Sequence, residues 1–285
     1  MNTRTRATTE RLLIAMDIDG TLCPSGTTDI PDITNDAIAD VRAAGHHVVL
    51  ATGRSLSGAL LVAAVLGLDG TWIVASNGAV TAQVDARWPG GYRIESARTL
   101  DVEPVLSLAR RLCPGARVAV EEIGWGYQTS APFEPGEVNG RQMVVSDEEL
   151  ILEPAPRVVL SAPNAATLLA SPLRALGVTV NQASPSWLDI TPHGLSKATA
   201  LDEVRRHLDV APESTVFVGD GANDAEAMTW ATRSWAMGHA PALVRDIAED
   251  VTGTLAEHGA ATVLRALLAD GVSSEVAQTV TGAVS

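Results

Sequence analysis

A parallel β-sheet covered by helices on both faces, interrupted by an inserted α+β domain, is the fold class that the sequence predicts. Two observations carry it. Short aliphatic runs at residues 12–16, 48–51, 72–75 and 216–218, with weaker ones at 235–237 and around Val251, alternate with helical patterns at 34–44, 56–66, 196–208 and 241–248. Continuous apolar runs mark strands buried on both faces, and strands that alternate with helices mark a doubly wound parallel sheet. The stretch 85–189 breaks this rhythm with stronger period-two alternation and denser Pro and Gly. There residues 116–129 and 178–190 read as antiparallel strands, and 102–112 and 165–176 as helices on one side. The chain therefore divides into a core (1–84), an insertion (85–189) and a second core segment (190–285), with linkers near 81–86 and 189–193. A length of 285 residues agrees with two domains.

Composition narrows the function. Lys and Arg number 20 against 34 Asp and Glu, a net charge of −14. That balance disfavours nucleic acid and anionic membrane surfaces, which are held by clustered cations. It leaves room for a small anionic substrate. Two cysteines, Cys23 and Cys113, are too few for a disulfide framework. The tail MNTRTRATTE carries arginines, but the apolar run behind it is shorter than a secretory h-region, and the longest apolar stretch, 59–68, is about half a membrane span. A cytoplasmic location is the expectation. Oligomeric state is not legible.

Four short motifs follow the buried runs, where an open α/β sheet binds its ligands. Asp17-Ile18-Asp19-Gly20-Thr21 places two carboxylates and a turn glycine after the first strand. Asp and Gly are also ordinary turn residues, so this pair alone decides nothing. Thr52-Gly53-Arg54-Ser55 follows the second strand, and Thr52 or Ser55 can cap the next helix or donate to an anion. Lys197 sits in the first turn of a helix that Ser196 caps. A cation there opposes the helix dipole by roughly 0.3–1 kcal/mol, and makes better sense with an anion beside it. Gly219-Asp220-Gly221-Ala222-Asn223-Asp224 puts two more carboxylates in a glycine-rich loop, either turn and cap or ligands for a hard cation.

Taken together and in this order, these motifs resemble the haloacid dehalogenase-like (HAD) phosphohydrolases. The resemblance is to the Cof-like branch, class IIB, whose large α/β cap is inserted between the second and third motifs of a Rossmann-like core. It covers essentially the whole chain and includes Ser76-Asn77-Gly78-Ala79 before the insertion. It implies a Mg²⁺-dependent phosphatase acting on a small-molecule phosphate ester, with sugar phosphate the favoured class. Asp17 would be the nucleophile and Asp19 the general acid and base. Thr52, Lys197 and Asn223 would grip the phosphoryl oxygens. Mg²⁺ would be held by Asp17, the Asp19 carbonyl and Asp220, with Asp224 acting through water or the surrounding loop.

Other residues keep two readings. Arg54 contacts substrate or cap, or makes a structural hydrogen bond at the helix start. Asn77 lines the site or stabilises its turn. Cys23 reads as packing and His193 as a linker residue. The six tryptophans read mostly as core, with Trp125 and Trp187 also suited to stacking on a substrate. Polar candidates in the cap are Glu121, Glu122, Gln128, Arg141, Asn181 and Gln182. Two alternatives to a phosphatase remain on the same scaffold: a phosphomutase or phosphotransferase, and a non-catalytic sugar-phosphate-binding regulator. The paired Asp17 and Asp19 argue against the regulator, since binding alone needs no second acid.

Overall fold

The structure is a computed structural model and describes residues 11–281, so the N-terminal tail lies outside the described residues. The core opens with β1 (Leu13–Met16), α1 (Asp32–Ala43), β2 (His47–Ala51), α2 (Leu56–Val65) and β3 (Trp72–Ala75). An antiparallel pair follows, β4 (Val80–Val84) and β5 (Tyr92–Ala97). The cap then runs through α3 (Val102–Leu112), β6 (Arg117–Glu122), β7 (Gly126–Thr129), β8 (Arg141–Val144), α4 (Asp147–Leu150), β9 (Val158–Ser161), α5 (Ala165–Arg174), β10 (Thr179–Ser184) and β11 (Trp187–Thr191). The core resumes with α6 (Lys197–His207), β12 (Thr215–Gly219), α7 (Ala225–Trp230), β13 (Arg233–Ala236), α8 (Ala242–Ile247), β14 (Asp250–Val251) and α9 (Gly259–Thr281).

The core sheet has eight strands in the order β14-β13-β12-β1-β2-β3-β4-β5. Strands β14 to β3 are parallel, and β1 lies between β12 and β2 with Ile14 opposite Val216 and Val48. Alternate residues of β1 serve two cores, which explains why its run is apolar throughout. Ile14 and Met16 pack with Ile38, Val41 and Val62 of α1 and α2 and with Leu264 of α9. Leu13 and Ala15 pack with Leu201, Val204, Met228 and Val244 of α6, α7 and α8. Burial on this scale is the main stabilising term, at about 25 cal/mol per Å² of apolar surface.

Two expectations change. Strand β5 falls in the range assigned to the insertion, yet it pairs with β4 in the core sheet. The supposed linker at 81–86 is largely β4 itself. Neither strand was singled out in the sequence because their small and polar residues, such as Thr81, Gln83, Arg93 and Glu95, lack an aliphatic run.

The cap is a six-stranded sheet in the order β10-β11-β9-β6-β7-β8, antiparallel apart from β7 with β8. Its outer face is covered by α3 and α5, where Val105, Leu106, Leu169 and Leu173 pack on Val118, Val120, Leu160 and Ile190. The alternate residues, Glu121, Tyr127, Arg157 and Asp189, occupy the opposite face and are buried as well. Several contacts join cap and core. Arg157 donates to the Gly53 carbonyl, Ser76 Oγ lies 2.6 Å from Glu121 Oε2, and the hydroxyls of Ser55 and Ser57 reach the Asn139 carbonyl at 3.4 Å. Among the described residues no helix is long and apolar enough to cross a membrane.

Candidate active site

The chemistry-bearing residues gather at the carboxyl ends of β1, β2, β3 and β12. Asp17 follows Met16 directly, and its N–H continues the ladder by donating to the Val218 carbonyl at 2.9 Å. Gly20 turns the chain with φ +80°, and a Cβ there would overlap the Asp220 carboxylate. Glycine is therefore what lets the β1 and β12 loops approach each other. Asp220 is held from the same loop by the Thr21 hydroxyl at 3.3 Å.

Lys197 is fully buried, unlike an ordinary first-turn lysine. Ser196 and Thr199 cap α6 reciprocally, which fixes where the lysine side chain begins. Its Nζ donates to Asp17 Oδ1 and to Asp224 Oδ1, both at 2.6 Å. Burial works against the ammonium, but the two carboxylates outweigh it and hold Lys197 charged well above the usual lysine range. The other oxygen of Asp224 accepts the backbone N–H groups of Asp220 (3.0 Å) and Gly221 (2.8 Å). Asp224 thus shapes the β12 loop while orienting the lysine.

One ammonium does not balance three carboxylates. Burial first, then Asp224 and Asp220, push the Asp17 carboxyl well above its ordinary range despite Lys197. Asp220 is raised by burial and by Asp224. Asp17, Asp220 and Asp224 each offer an oxygen, all within 4.8 Å of one another. All-oxygen donors with surplus negative charge fit a hard divalent cation.

Asp19 turns toward Arg54 instead of joining this cluster. Arg54 Nε and one terminal nitrogen bind the two oxygens of Asp19 at 2.8 and 2.7 Å, and the Gly26 N–H adds a third bond at 2.8 Å. Arg54 itself is buried and also donates to the Thr27 carbonyl at 2.8 Å. Neither of its two sequence readings named this partner. Thr52 is fully buried and accepts from the Arg54 N–H at 3.0 Å, while Ser55 is the cap of α2. Asn77 sits in a left-handed turn (φ 54°), accepts from Asn223 Nδ2 at 2.8 Å, and leaves its own buried Nδ2 without a partner. Both asparagines border Gly53.

Other residues singled out in the sequence lie outside this cluster. His193 is exposed, and Cys23 is buried among Ile18, Thr27 and Arg54 as a packing residue. Of the six tryptophans only Trp72 is buried, and Trp187 packs edge-on against Phe133 within the cap. Glu122 and Arg141 are exposed, and Glu121 alone of the polar cap candidates bonds the core. The sequence reading missed His239, whose Nε2 lies 3.5 Å from Asp220 Oδ2, and Arg157. The Gly238-His239 pair just beyond the weak run at 235–237 was the available signal for the first. Arg157 offered none.

A family model of haloacid dehalogenase-like hydrolases matches residues 14–108 and 162–264. The chain is 27% identical to 5-amino-6-(5-phospho-D-ribitylamino)uracil phosphatase YitU of Bacillus subtilis, over 90% of this chain and 97% of that one. It is 28% identical to a phosphoglycolate phosphatase of Natronomonas pharaonis, over 84% and 90% respectively. Among solved structures, the HAD subclass IIB sugar phosphatase BT4131 superposes with a TM-score of 0.75 at 22% identity, covering 90% of this chain and 98% of that one. The unmatched stretch, residues 109–161, falls within the cap, and the matched residues include all four strand-end loops of the core. The chain belongs to the haloacid dehalogenase-like hydrolases, in their Cof-like branch with an inserted α/β cap, and is a phosphatase.

Proposed function

We propose that the protein is a Mg²⁺-dependent phosphatase of small-molecule phosphate monoesters, working through an aspartyl-phosphate on Asp17. The observation that carries this reading is the buried Lys197 bridging Asp17 and Asp224 beside Asp220, a cluster with surplus negative charge that a divalent cation would balance. Asp17, Asp220 and the loop shaped by Asp224 would hold the ion. When bound, it would neutralise phosphoryl oxygens and let an anionic nucleophile approach them.

Lys197 occupies Oδ1 of Asp17, and the other oxygen attacks phosphorus. The ester P–O bond breaks, its electron pair passes to the leaving oxygen, and protonated Asp19 supplies the proton. Asp19, now a carboxylate, takes a proton from water as that water attacks the phosphorus. The bond from phosphorus to Asp17 breaks, releasing inorganic phosphate and restoring both acids. Arg54 aims Asp19 through paired bonds to both of its oxygens, and Thr52 and Asn223 supply hydroxyl and amide donors to the phosphoryl group. Asn77 holds Asn223 in place.

Sugar or polyol phosphates are the proposed substrates, supported by the ribityl phosphate substrate named for one relative and the sugar phosphatase named for one structural neighbour. Phosphate release from a panel of phosphate esters, with and without Mg²⁺, tests both levels. Release that is indifferent to chelator would sink the metal requirement. Asp17→Asn keeps the size of the side chain and removes the attacking charge, so turnover should fall by roughly a thousandfold or more. Near-wild-type turnover in that variant would overturn the covalent route.

A further inference from the structure

Arg157 lies in the cap, immediately before β9, with a side chain 6% exposed. Its Nε donates to Glu121 Oε2 at 3.2 Å, and one terminal nitrogen donates to the Tyr127 hydroxyl. The other lies 3.5 Å from Asp189 Oδ1 and donates to the Gly53 carbonyl of the core. Strand register explains the cluster. Glu121 and Tyr127 are cross-strand partners, and the Glu121 N–H donates to the Arg157 carbonyl at 3.0 Å. A buried guanidinium with two carboxylates, a hydroxyl and a carbonyl is fully paired, as burial of its charge demands.

The partner in the core is the informative one. Gly53 is the middle of Thr52-Gly53-Arg54, whose first residue is proposed to grip phosphate and whose last holds Asp19. The carbonyls on either side of it are satisfied within the core. Thr52 O accepts from the Asn77 N–H at 3.0 Å, and Arg54 O from the Ser76 N–H at 2.7 Å. The middle carbonyl alone takes its donor from the cap. Glu121 makes the tie double, because the oxygen that anchors Arg157 also accepts the Ser76 hydroxyl at 2.6 Å. The two core loops that are zipped to each other are thus both gripped by one cap ion pair. A purely internal cap ion pair would need neither contact.

We propose that Arg157 is a positioning residue which, with the cap seated on the core, fixes the Thr52-Gly53-Arg54 turn and through Arg54 the aim of Asp19. The inference rests on the phosphatase reading of the site. Its signature is a dependence on the leaving group. Asp19 acts by protonating the departing oxygen, so a misaimed Asp19 costs little with 4-nitrophenyl phosphate, whose leaving group departs readily as an anion. It costs more with phenyl phosphate, whose phenol has a pKa of about 10.

Arg157→Lys keeps the charge between Glu121 and Asp189 but lacks the planar fork that spans Tyr127 and Gly53. Its kcat should fall roughly tenfold on 4-nitrophenyl phosphate and roughly thirtyfold or more on phenyl phosphate, with KM within about threefold of wild type. Tyr127→Phe removes a contact of the same guanidinium inside the cap and should leave both rates within about threefold. Glu121→Gln, which retains the Ser76 hydrogen bond and weakens the anchor of Arg157, should show the same leaving-group pattern in milder form, and covers the case in which Arg157→Lys does not fold. Equal losses on the two esters in the folded variants, or losses matched by Tyr127→Phe, would overturn the positioning role. A wild-type chain that releases phosphate from neither ester would instead overturn the phosphatase reading, and the role with it.

Discussion

Gly20 shows how much of the site depends on an absent side chain. Its φ of +80° is a left-handed conformation that costs an L-residue roughly 1–2 kcal/mol, and its missing Cβ leaves room for the Asp220 carboxylate. Gly20→Ala therefore adds backbone strain and displaces the Asp220 carboxylate, one of the proposed metal ligands, together. The expected outcome is a chain that still folds but needs at least about tenfold more Mg²⁺ for half-maximal turnover, the loss of affinity that follows from disturbing a ligand's placement. A Mg²⁺ titration of phosphate release checks this, and an unchanged half-maximal concentration would mean that Asp220 does not hold the ion. At this scale the sequence was most informative. Asp17 and Asp220 stood out because each lies at the end of a buried run, and Lys197 because a cation in the first turn of a helix opposes its dipole unless an anion lies beside it. Arg54 was half legible: its place in the motif was visible, but its partner Asp19 lies across a gap of 35 residues that only the folded chain closes.

Helix α6 carries its most important residue in its first turn, so its start must be fixed. Ser196 does this by accepting the Thr199 N–H at 3.4 Å, while Thr199 Oγ1 accepts the Ser196 N–H at 3.1 Å. Ser196→Ala should cost about 1 kcal/mol, or about 2–4 °C in melting temperature. It should also lower kcat severalfold, because fraying the first turn loosens Lys197. Thermal melts read beside turnover would show this, and a stability loss with no change in kcat would mean that tertiary contacts alone place the lysine. The elements that escaped the sequence reading share a physical reason. Strand β4 draws its order from pairing with β3, and β5 from pairing with β4, not from their own apolar content. The charged row on the inner cap face depends on register, which periodicity does not supply. Arg157 meets Gly53 across 104 residues of chain and follows a proline-rich stretch that reads as loop.

For the whole molecule, the carboxylate cluster links stability to pH with a definite sign. Asp17 and Asp220 hold protons more tightly in the folded chain than the ordinary value of 3.8 allows. Their contribution to stability is full below that value and is lost as pH rises through the elevated folded values, because the native state then binds more protons than the unfolded one. Mg²⁺ needs those protons gone, so its binding should stabilise the fold more at about pH 8 than at about pH 5. At a hundredfold excess over Kd the gain is about 2.7 kcal/mol, several degrees of melting temperature. Melts with Mg²⁺ and with chelator at both pH values test this, and a pH-independent increment would contradict it. The route of the chain has a consequence for exchanging parts between relatives. Cap strand β11 ends at Thr191 and α6 opens with Lys197, so the returning connector delivers the chain straight to the one ammonium among the buried carboxylates. A transplanted cap would have to be spliced between Thr191 and Ser196, since a junction placed any later would replace the counter-charge of the nucleophile along with the specificity of the enzyme.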